Sequence, residues 1–266
     1  MLPDFHNHTC FSGDSSQDIR ELLDHAVELG MPSICITDHQ DFDYVEDGVS
    51  FTIDPVKYYE TLKNFQKEYA GRLDLRIGVE TGLGKEFASR LADFTRSVPF
   101  DFIIGSIHVV SGIDPYYDIY WEGKSAKQAI SQYFEASVEA LETCHDFDIF
   151  GHIDYGVRYC KEPGFVYNPL DYIDYLDALL KKLLSLGKGI ELNTGGLYKG
   201  ANHTNPHPAI IKRYRELGGE IITLGSDDHE AKYLGYAFDQ AQDLLKDCGF
   251  KYYCTFKDRK AEFHKF

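Results

Sequence analysis

The chain has 266 residues, of which 43 are acidic and 27 basic, giving a formal net charge of −16 at pH 7. This balance argues against a nucleic-acid-binding protein, which needs clustered lysine and arginine to neutralise phosphates. No apolar run approaches the roughly 18–20 residues that span a bilayer, and the first residues lack the charged and apolar regions of a secretion signal, so we expect a cytoplasmic protein with neither a membrane nor a nucleic acid as partner.

Apolar runs typical of buried strands alternate with amphipathic helical patterns along the chain. The predicted strands cover residues 4–6, 33–37, 75–79, 102–106, 149–152, 189–192 and 220–224. The predicted helices cover residues 19–29, 55–69, 85–96, 125–143, 170–186, 209–217 and 235–246. This alternation is typical of βα units around a parallel sheet. Although the length would allow two domains, one α/β barrel commonly takes about 200–250 residues, and we predict a single domain over residues 1–266.

Each predicted strand ends in a polar side chain. In chain order these are His6 and His8, Asp38 and His39, Glu80, His108, His152, Asn193, and finally Asp227 and His229. In α/β barrels the C-terminal ends of the strands share one mouth, where active sites lie. We therefore expect these side chains to converge on one site. Of the histidines outside the pattern, we expect His25, His145 and His264 to be solvated or locally hydrogen-bonded.

The donor types favour a metal cluster. His6 and His8 are two residues apart on an extended segment, so both imidazoles face the same side. Imidazoles mixed with carboxylates, without any C-x-x-C pair of cysteines, suit zinc, manganese or iron better than calcium. Nine donors are too many for one ion with about four ligands, but they fit two or three divalent transition metal ions. The nine are His6, His8, Asp14, His39, Glu80, His108, His152, Asp227 and His229.

These motifs resemble the polymerase and histidinol phosphatase (PHP) superfamily over the whole chain. The matching features are H-x-H near the start, T-D-H after the second strand, a lone glutamate after the third, single histidines after the fourth and fifth, and S-D-x-H near the end. The segments GHIDYGVRY, ELNTGGLYKG and NPHPAIIKRYRELGGEIITLGSDDH are similar to those of histidinol-phosphate phosphatases. The resemblance implies a distorted (β/α)7 barrel, a trinuclear metal centre, and hydrolysis of L-histidinol phosphate in histidine biosynthesis.

The resemblance also implies how the donors divide among three ions. His6, His8, Glu80 and Asp227 would bind the first ion. Glu80 would bridge to a second ion held by His108 and His152. Asp14, His39 and His229 would hold the third. Many members of the superfamily have histidine where this chain has Asp14, so the third site is where the chain departs from the family pattern and where partial occupancy is one alternative.

We expect the reaction to be phosphate-ester hydrolysis with catalytic roles for Glu80, Asp227 and Arg158. A metal lowers the pKa of bound water toward about 7, and we expect a hydroxide bridging two ions to attack phosphorus in line. The Arg158 guanidinium would clamp the phosphate with two hydrogen bonds. Candidates for binding the ammonium and imidazole of histidinol are Asp41, Asp43, Glu46, Tyr117, Asn193 and Tyr198.

Two other functions stay open at this point. A PHP phosphoesterase could act on another small phosphate monoester or on an oligonucleotide end. A metal-binding or sensory protein could use the same donors without catalysis if every ion were coordinatively saturated. The patterns also leave open whether the protein is a monomer or a small homo-oligomer, and whether Asp38 takes part in the reaction or orients a neighbouring imidazole.

Overall fold

The computed structural model describes residues 1–46 and 48–266. Its first half contains β1 (Asp4–Asn7), α1 (Ile19–Glu28), β2 (Ser33–Ile36), β3 (His39–Gln40), β4 (Val45–Glu46), β5 (Val49–Ser50), α2 (Pro55–Glu68), β6 (Asp74–Gly82), α3 (Ala88–Thr95), β7 (Phe102–Ser106) and α4 (Asp118–Trp121). Its second half contains α5 (Ala126–Ala140), β8 (Ile149–Phe150), α6 (Ile173–Ser185), β9 (Gly189–Asn193), α7 (Gly195–Tyr198), α8 (Pro208–Glu216), β10 (Ile222–Gly225), α9 (Phe238–Asp247), β11 (Tyr252–Lys257) and β12 (Lys260–Lys265). None of the helices in the described ranges is both long and apolar enough to cross a membrane.

Seven parallel strands form the central sheet in the order β1-β2-β6-β7-β8-β9-β10, and the short β3 pairs with β6. The strands β2, β7 and β9 are buried along their whole length. Their sequences SICI, FIIGS and GIELN therefore lack the polar alternation of a half-exposed strand, as is typical of parallel sheets covered on both faces. The seven predicted strands are all present, with ends that differ by a few residues.

The first and last strands of the sheet close the barrel through individual contacts. The Asp227 N–H donates to the His6 carbonyl at 2.9 Å, and the His8 N–H donates to the Asp228 carbonyl at 3.0 Å. The buried Asp4 carboxylate accepts the Ser226 N–H at 3.1 Å. These bonds join β1 to the end of β10 without a regular ladder. The distorted seven-stranded barrel implied by the sequence is confirmed.

Local sequence signals explain where the helices begin. The Asp54 carboxylate caps α2 by accepting the N–H groups of Val56 and Lys57, with Pro55 at the first helical position; both are favoured there. Two predicted helices are divided. Residues 85–96 form a 3-10 turn, Lys85–Phe87, before α3, and the helix predicted from residue 170 begins with a 3-10 turn at Pro169–Tyr172.

The sequence patterns did not predict the antiparallel hairpin of β11 and β12. Its turn residues Asp258 and Arg259 have φ values of 48° and 64°, the left-handed values that a two-residue turn of this kind requires. Such turns are usually marked by Asn-Gly or Asp-Gly, and Asp-Arg carries no such signal. His264 lies in β12, and its Nε2 is 2.7 Å from the Thr255 hydroxyl, so it is locally hydrogen-bonded.

The hairpin closes the end of the barrel opposite the polar strand ends. The Arg259 N–H donates to the carbonyl of Asp101, the residue before β7, and its Nε donates to Asp148 Oδ2 at 2.6 Å. Phe256 and Cys254 pack in a small apolar cluster with Phe5, Cys35, Phe102, Ile104 and Ile149. The ring centroids of Phe102 and Phe256 are 4.9 Å apart. The C-terminal segment thus completes the core beneath the site.

We expect Phe256→Ala to destabilise the fold by about 3–5 kcal/mol, the usual cost of truncating a buried phenylalanine. Phe256 is 4% exposed, whereas Phe263 in the same hairpin is 51% exposed, so Phe263→Ala is the matched control and should change stability by less than about 0.5 kcal/mol. Urea unfolding of both variants measures the difference. Equal losses would contradict the role of β11 as part of the core.

Candidate metal centre

The structure brings all nine predicted donors together at the C-terminal end of the barrel. The strand β1 contributes His6, and His8 follows it directly; the pairing of β3 with β6 places His39 beside Glu80. The remaining side chains follow their strands. His108 lies beyond β7, His152 beyond β8, Asp227 and His229 beyond β10, and Asp14 in the segment after β1.

Glu80 lies at the centre and presents one carboxylate oxygen to each of two groups of histidines. Its Oε2 is 3.1 Å from His6 Nε2 and 3.5 Å from His8 Nε2. Its Oε1 is 3.2 Å from His108 Nε2 and 2.8 Å from His152 Nε2. A carboxylate with separate partners on its two oxygens has the geometry needed to bridge two cations.

Asp227 joins the group around Oε2 of Glu80. Its Oδ1 is 3.4 Å from His8 Nε2 and 4.0 Å from His6 Nε2. The Lys199 ammonium donates to the same oxygen at 2.9 Å. Asp227 has a φ of 55°, a left-handed conformation that aspartate adopts more readily than most residues. The turn after β10 therefore aims this carboxylate at the histidines of β1.

Asp14 lies with the third group of donors. Its Oδ2 is 3.0 Å from His229 Nε2 and 3.6 Å from His39 Nε2. The ring of His8 stacks on the rings of both histidines, with centroids 4.2 Å from His39 and 4.3 Å from His229. The Asp14 side chain is the most exposed of the nine donors, so this group lies nearest to solvent.

Four groups of donor atoms each lie within 4.8 Å of one another, the spacing expected around a metal ion. They are His6, His8 and Glu80; Glu80, His108 and His152; His8, His39 and His229; and His39, Asp41 and His108. The Nε2 of His8, which faces Glu80 and Asp227, is buried without a hydrogen-bond partner in the part of the chain described. Buried nitrogens are normally paired, so this donor set fits divalent cations.

The electrostatics of the centre also favour cations. Burial alone would raise the pKa of Glu80, but His6 and His108 outweigh it and hold that pKa well below its usual range. For Asp227 the effect of burial is outweighed first by Lys199, and its pKa is also well below the usual value. Both carboxylates are therefore ionised at neutral pH in a buried position, where unbalanced negative charge is costly.

Two buried carboxylates support the histidines from behind. Glu191 Oε1 is 2.6 Å from His6 Nδ1. Asp38 accepts the Ser12 hydroxyl at 2.7 Å, and that hydroxyl is 3.0 Å from His8 Nδ1. Asp38 thus supports an imidazole through Ser12, one of the two roles left open by the sequence. Glu191 was not among the predicted residues, although a glutamate within the apolar run GIEL was an available signal.

A cavity of about 340 Å³ opens over this centre. Two cations line it, Arg158 and Lys199, and the Arg158 guanidinium lies 4.4 Å from the ring centroid of Tyr155 and 4.9 Å from that of Tyr159. The Nε of Arg158 is buried without a hydrogen-bond partner in the described ranges. The cavity wall also has acidic and aromatic side chains, namely Asp41, Tyr44, Glu46, Asp114 and Tyr116.

The structure corrects the expected position of three predicted substrate contacts. Asn193 is buried below the cavity, where its Oδ1 accepts the Gly195 N–H at 2.8 Å. The Tyr198 hydroxyl donates to the carbonyl of Asp227 at 2.9 Å and so supports the turn after β10. Asp43 points away from the cavity.

Asp43 forms an ion pair with Arg90 of α3. Its two oxygens accept hydrogen bonds from the Arg90 guanidinium at 2.6 and 3.0 Å. Asp41, another predicted substrate contact, lines the cavity. Tyr117 is at the rim, where its hydroxyl donates to Oε1 of the cavity-lining Glu46 at 2.8 Å.

Comparisons with known proteins agree with this geometry. The PHP domain profile matches residues 4–195. The histidinol-phosphatase of Lactococcus lactis is 30% identical, covering 98% of this chain and 97% of that protein, and a probable histidinol-phosphatase of Clostridium acetobutylicum is 34% identical, covering 94% and 95%. The crystal structure of the L. lactis histidinol phosphate phosphatase, complexed with zinc, L-histidinol and phosphate, superposes with a TM-score of 0.90 at 29% identity and covers 98% of this chain and 100% of that one.

Proposed function

The chain belongs to the PHP family, and from this premise we propose that it hydrolyses L-histidinol phosphate to L-histidinol and phosphate with divalent metal ions. The protein is a phosphatase enzyme, because curated histidinol-phosphatases match it over nearly the whole chain and one of their structures contains zinc, L-histidinol and phosphate. The observation that carries the proposal is the position of Glu80, whose two oxygens face separate groups of histidines beneath a cavity lined by Arg158.

We propose the following division of ligands. One ion would be held by Glu80, His6, His8 and Asp227, and a second by Glu80, His108 and His152. A third would be held by Asp14, His39 and His229. The support is that each set lies within contact distance in the structure. When bound, such ions supply charge neutralisation at the phosphoryl oxygens and a nucleophilic water at neutral pH.

The protein's own cations complete the phosphate site. The guanidinium of Arg158 faces the cavity from the aromatic rings of Tyr155 and Tyr159, and can donate two parallel hydrogen bonds to a phosphate. Lys199 contributes a second positive charge beside Asp227. Together they bind and orient the phosphate above the metal ligands.

The acidic part of the cavity wall suits the rest of the substrate. L-Histidinol carries an ammonium and an imidazole, and the carboxylates of Glu46 and Asp114 face the same cavity. The Tyr44 hydroxyl donates to Asp114 at 3.1 Å and fixes its orientation. A wall of this charge repels a polyanion, which disfavours an oligonucleotide end as the substrate.

We further propose that residues 1–266 act as one barrel domain in the cytoplasm, as a monomer or a small homo-oligomer and without nucleic acid. The charge of −16 and the acidic side chains of the cavity support the absence of nucleic acid. The single domain is supported by one relative of similar length that matches nearly the whole chain.

Removal of metal tests the proposed function directly. We expect protein dialysed against a strong chelator to lose hydrolysis of histidinol phosphate, and zinc or manganese to restore it, because the proposed nucleophile is a water activated by metal. Phosphate release and metal content are measured on the same samples. Other small phosphate monoesters serve as competing substrates. Full activity in metal-free protein would refute the mechanism, and faster release from another monoester would reassign the substrate.

A further inference from the structure

We propose that Asp41 is a positioning residue that holds the imidazole of His108, and that it does not act as a contact for the substrate. This inference rests on the proposed function, since it assigns His108 to a metal ion. His108 Nδ1 donates to Asp41 Oδ1 at 2.8 Å, while Nε2 of the same ring lies 3.2 Å from Glu80 Oε1. The ring is therefore held between two carboxylates, with Asp41 on the side away from Glu80.

The surroundings of Asp41 fix its carboxylate in this place. Its backbone N–H donates to the Phe51 carbonyl at 2.7 Å, and its Oδ2 lies 3.4 Å from His39 Nδ1. Both oxygens thus face histidine nitrogens, and the residue is 4% exposed. Asp41 lines the cavity, but its two oxygens are directed at the nitrogens of His108 and His39.

Gly82 provides the space that the Asp41 carboxylate occupies. A Cβ built on Gly82 would lie 2.1 Å from Asp41 Oδ1, far inside contact distance. Gly82 does not have a positive φ. Glycine is therefore required here because a side chain would overlap Asp41, and not because of the backbone conformation. The strand β6 therefore supplies both the central carboxylate, Glu80, and, two residues later, the gap into which Asp41 fits.

The same arrangement occurs on the other side of Glu80. Glu191 Oε1 lies 2.6 Å from His6 Nδ1, and the Nε2 of His6 faces Glu80 Oε2 at 3.1 Å. Glu191 does not line the cavity and cannot touch substrate. Carboxylates behind metal-binding histidines fix the ring orientation and increase ligand basicity, and their loss typically costs 10–100-fold in metal affinity or activity. Asp41 and Glu191 thus form an equivalent pair.

The experiment measures zinc binding without substrate and kinetics at saturating zinc. We expect Asp41→Ala to weaken one zinc site by 10–100-fold in a titration against a chromophoric chelator, and Asp41→Asn to weaken it less, because asparagine keeps an acceptor oxygen. At saturating zinc we expect KM for histidinol phosphate to stay within about twofold of the original value. A charge contact to the substrate ammonium would instead raise KM similarly in both variants.

Three further variants complete the comparison. Gly82→Ala should weaken zinc binding as Asp41→Ala does, since it displaces the carboxylate without removing it. Glu191→Gln should weaken the other site. Asp93→Asn on the exposed face of α3 is the matched control and should change neither property. Unchanged zinc affinity in Asp41→Ala would overturn the inference, as would a KM that stays raised more than tenfold at saturating zinc. The zinc titration needs no turnover, so failure of the proposed function is detected separately.

Discussion

Glu80→Ala is expected to remove two metal ions at once and to lower hydrolysis by on the order of a thousand-fold or more, because each ion contributes several kcal/mol to stabilising charge in the transition state. The two oxygens of Glu80 face different groups of histidines, so truncation leaves both groups without their shared ligand. Metal content by elemental analysis and kcat/KM for histidinol phosphate are the measurements.

Asp14→Ala provides the contrast for this prediction. Asp14 contacts only the outermost group, through His229 and His39, so its loss should spare at least two ions and lower activity less than Glu80→Ala does. Circular dichroism and thermal unfolding establish that both variants are folded. If the two variants lost the same number of ions, Glu80 would not bridge, and the division of ligands proposed above would have to be redrawn.

The position of the site could be predicted because a barrel imposes it. Strands that run parallel bring their C-terminal ends to one mouth, so a polar residue at the end of each apolar run was enough to place His6, Glu80 and His152 together before any distance was known. The mixture of imidazoles and carboxylates among them predicted a metal site. The resemblance implied which histidines are grouped about Glu80, but which of its oxygens faces which pair needed the structure, because it depends on side-chain directions that spacing along the chain does not determine.

The outer parts of the site were less predictable for a different reason. Asp43 and Asp41 are two residues apart in one polar segment, yet Arg90 of α3 holds the first away from the cavity and His108 holds the second inside it. Whether such a side chain lies in the cavity or outside it depends on which partner the folded chain places nearby. Asn193 was misplaced for the same reason, since a polar residue at a strand end can bond to the backbone of its own turn.

Arg158 is predicted to act through the shape of its guanidinium as well as through its charge. Arg158→Lys should keep its metal ions but lose about 2–4 kcal/mol of transition-state stabilisation, or roughly thirty- to a thousand-fold in kcat/KM, the scale for removing one preorganised donor. A lysine ammonium is a compact point charge that cannot give two parallel hydrogen bonds. Nor can it reproduce the flat contacts with Tyr155 and Tyr159.

Arg158→Ala should be more severe and should raise KM as well as lower kcat, because the side chain binds the phosphate before the reaction and binds it more strongly during it. Metal content and unfolding should stay near those of the original protein, since Arg158 contacts none of the proposed ligands. Lys161 is the matched control: it lies on the same segment but pairs with Asp118 away from the cavity, so Lys161→Ala should leave kcat/KM unchanged. If Arg158→Ala retained kcat/KM within about threefold, which is well under 1 kcal/mol, the phosphate clamp would have to be assigned to Lys199, the other cation that lines the cavity among the described residues.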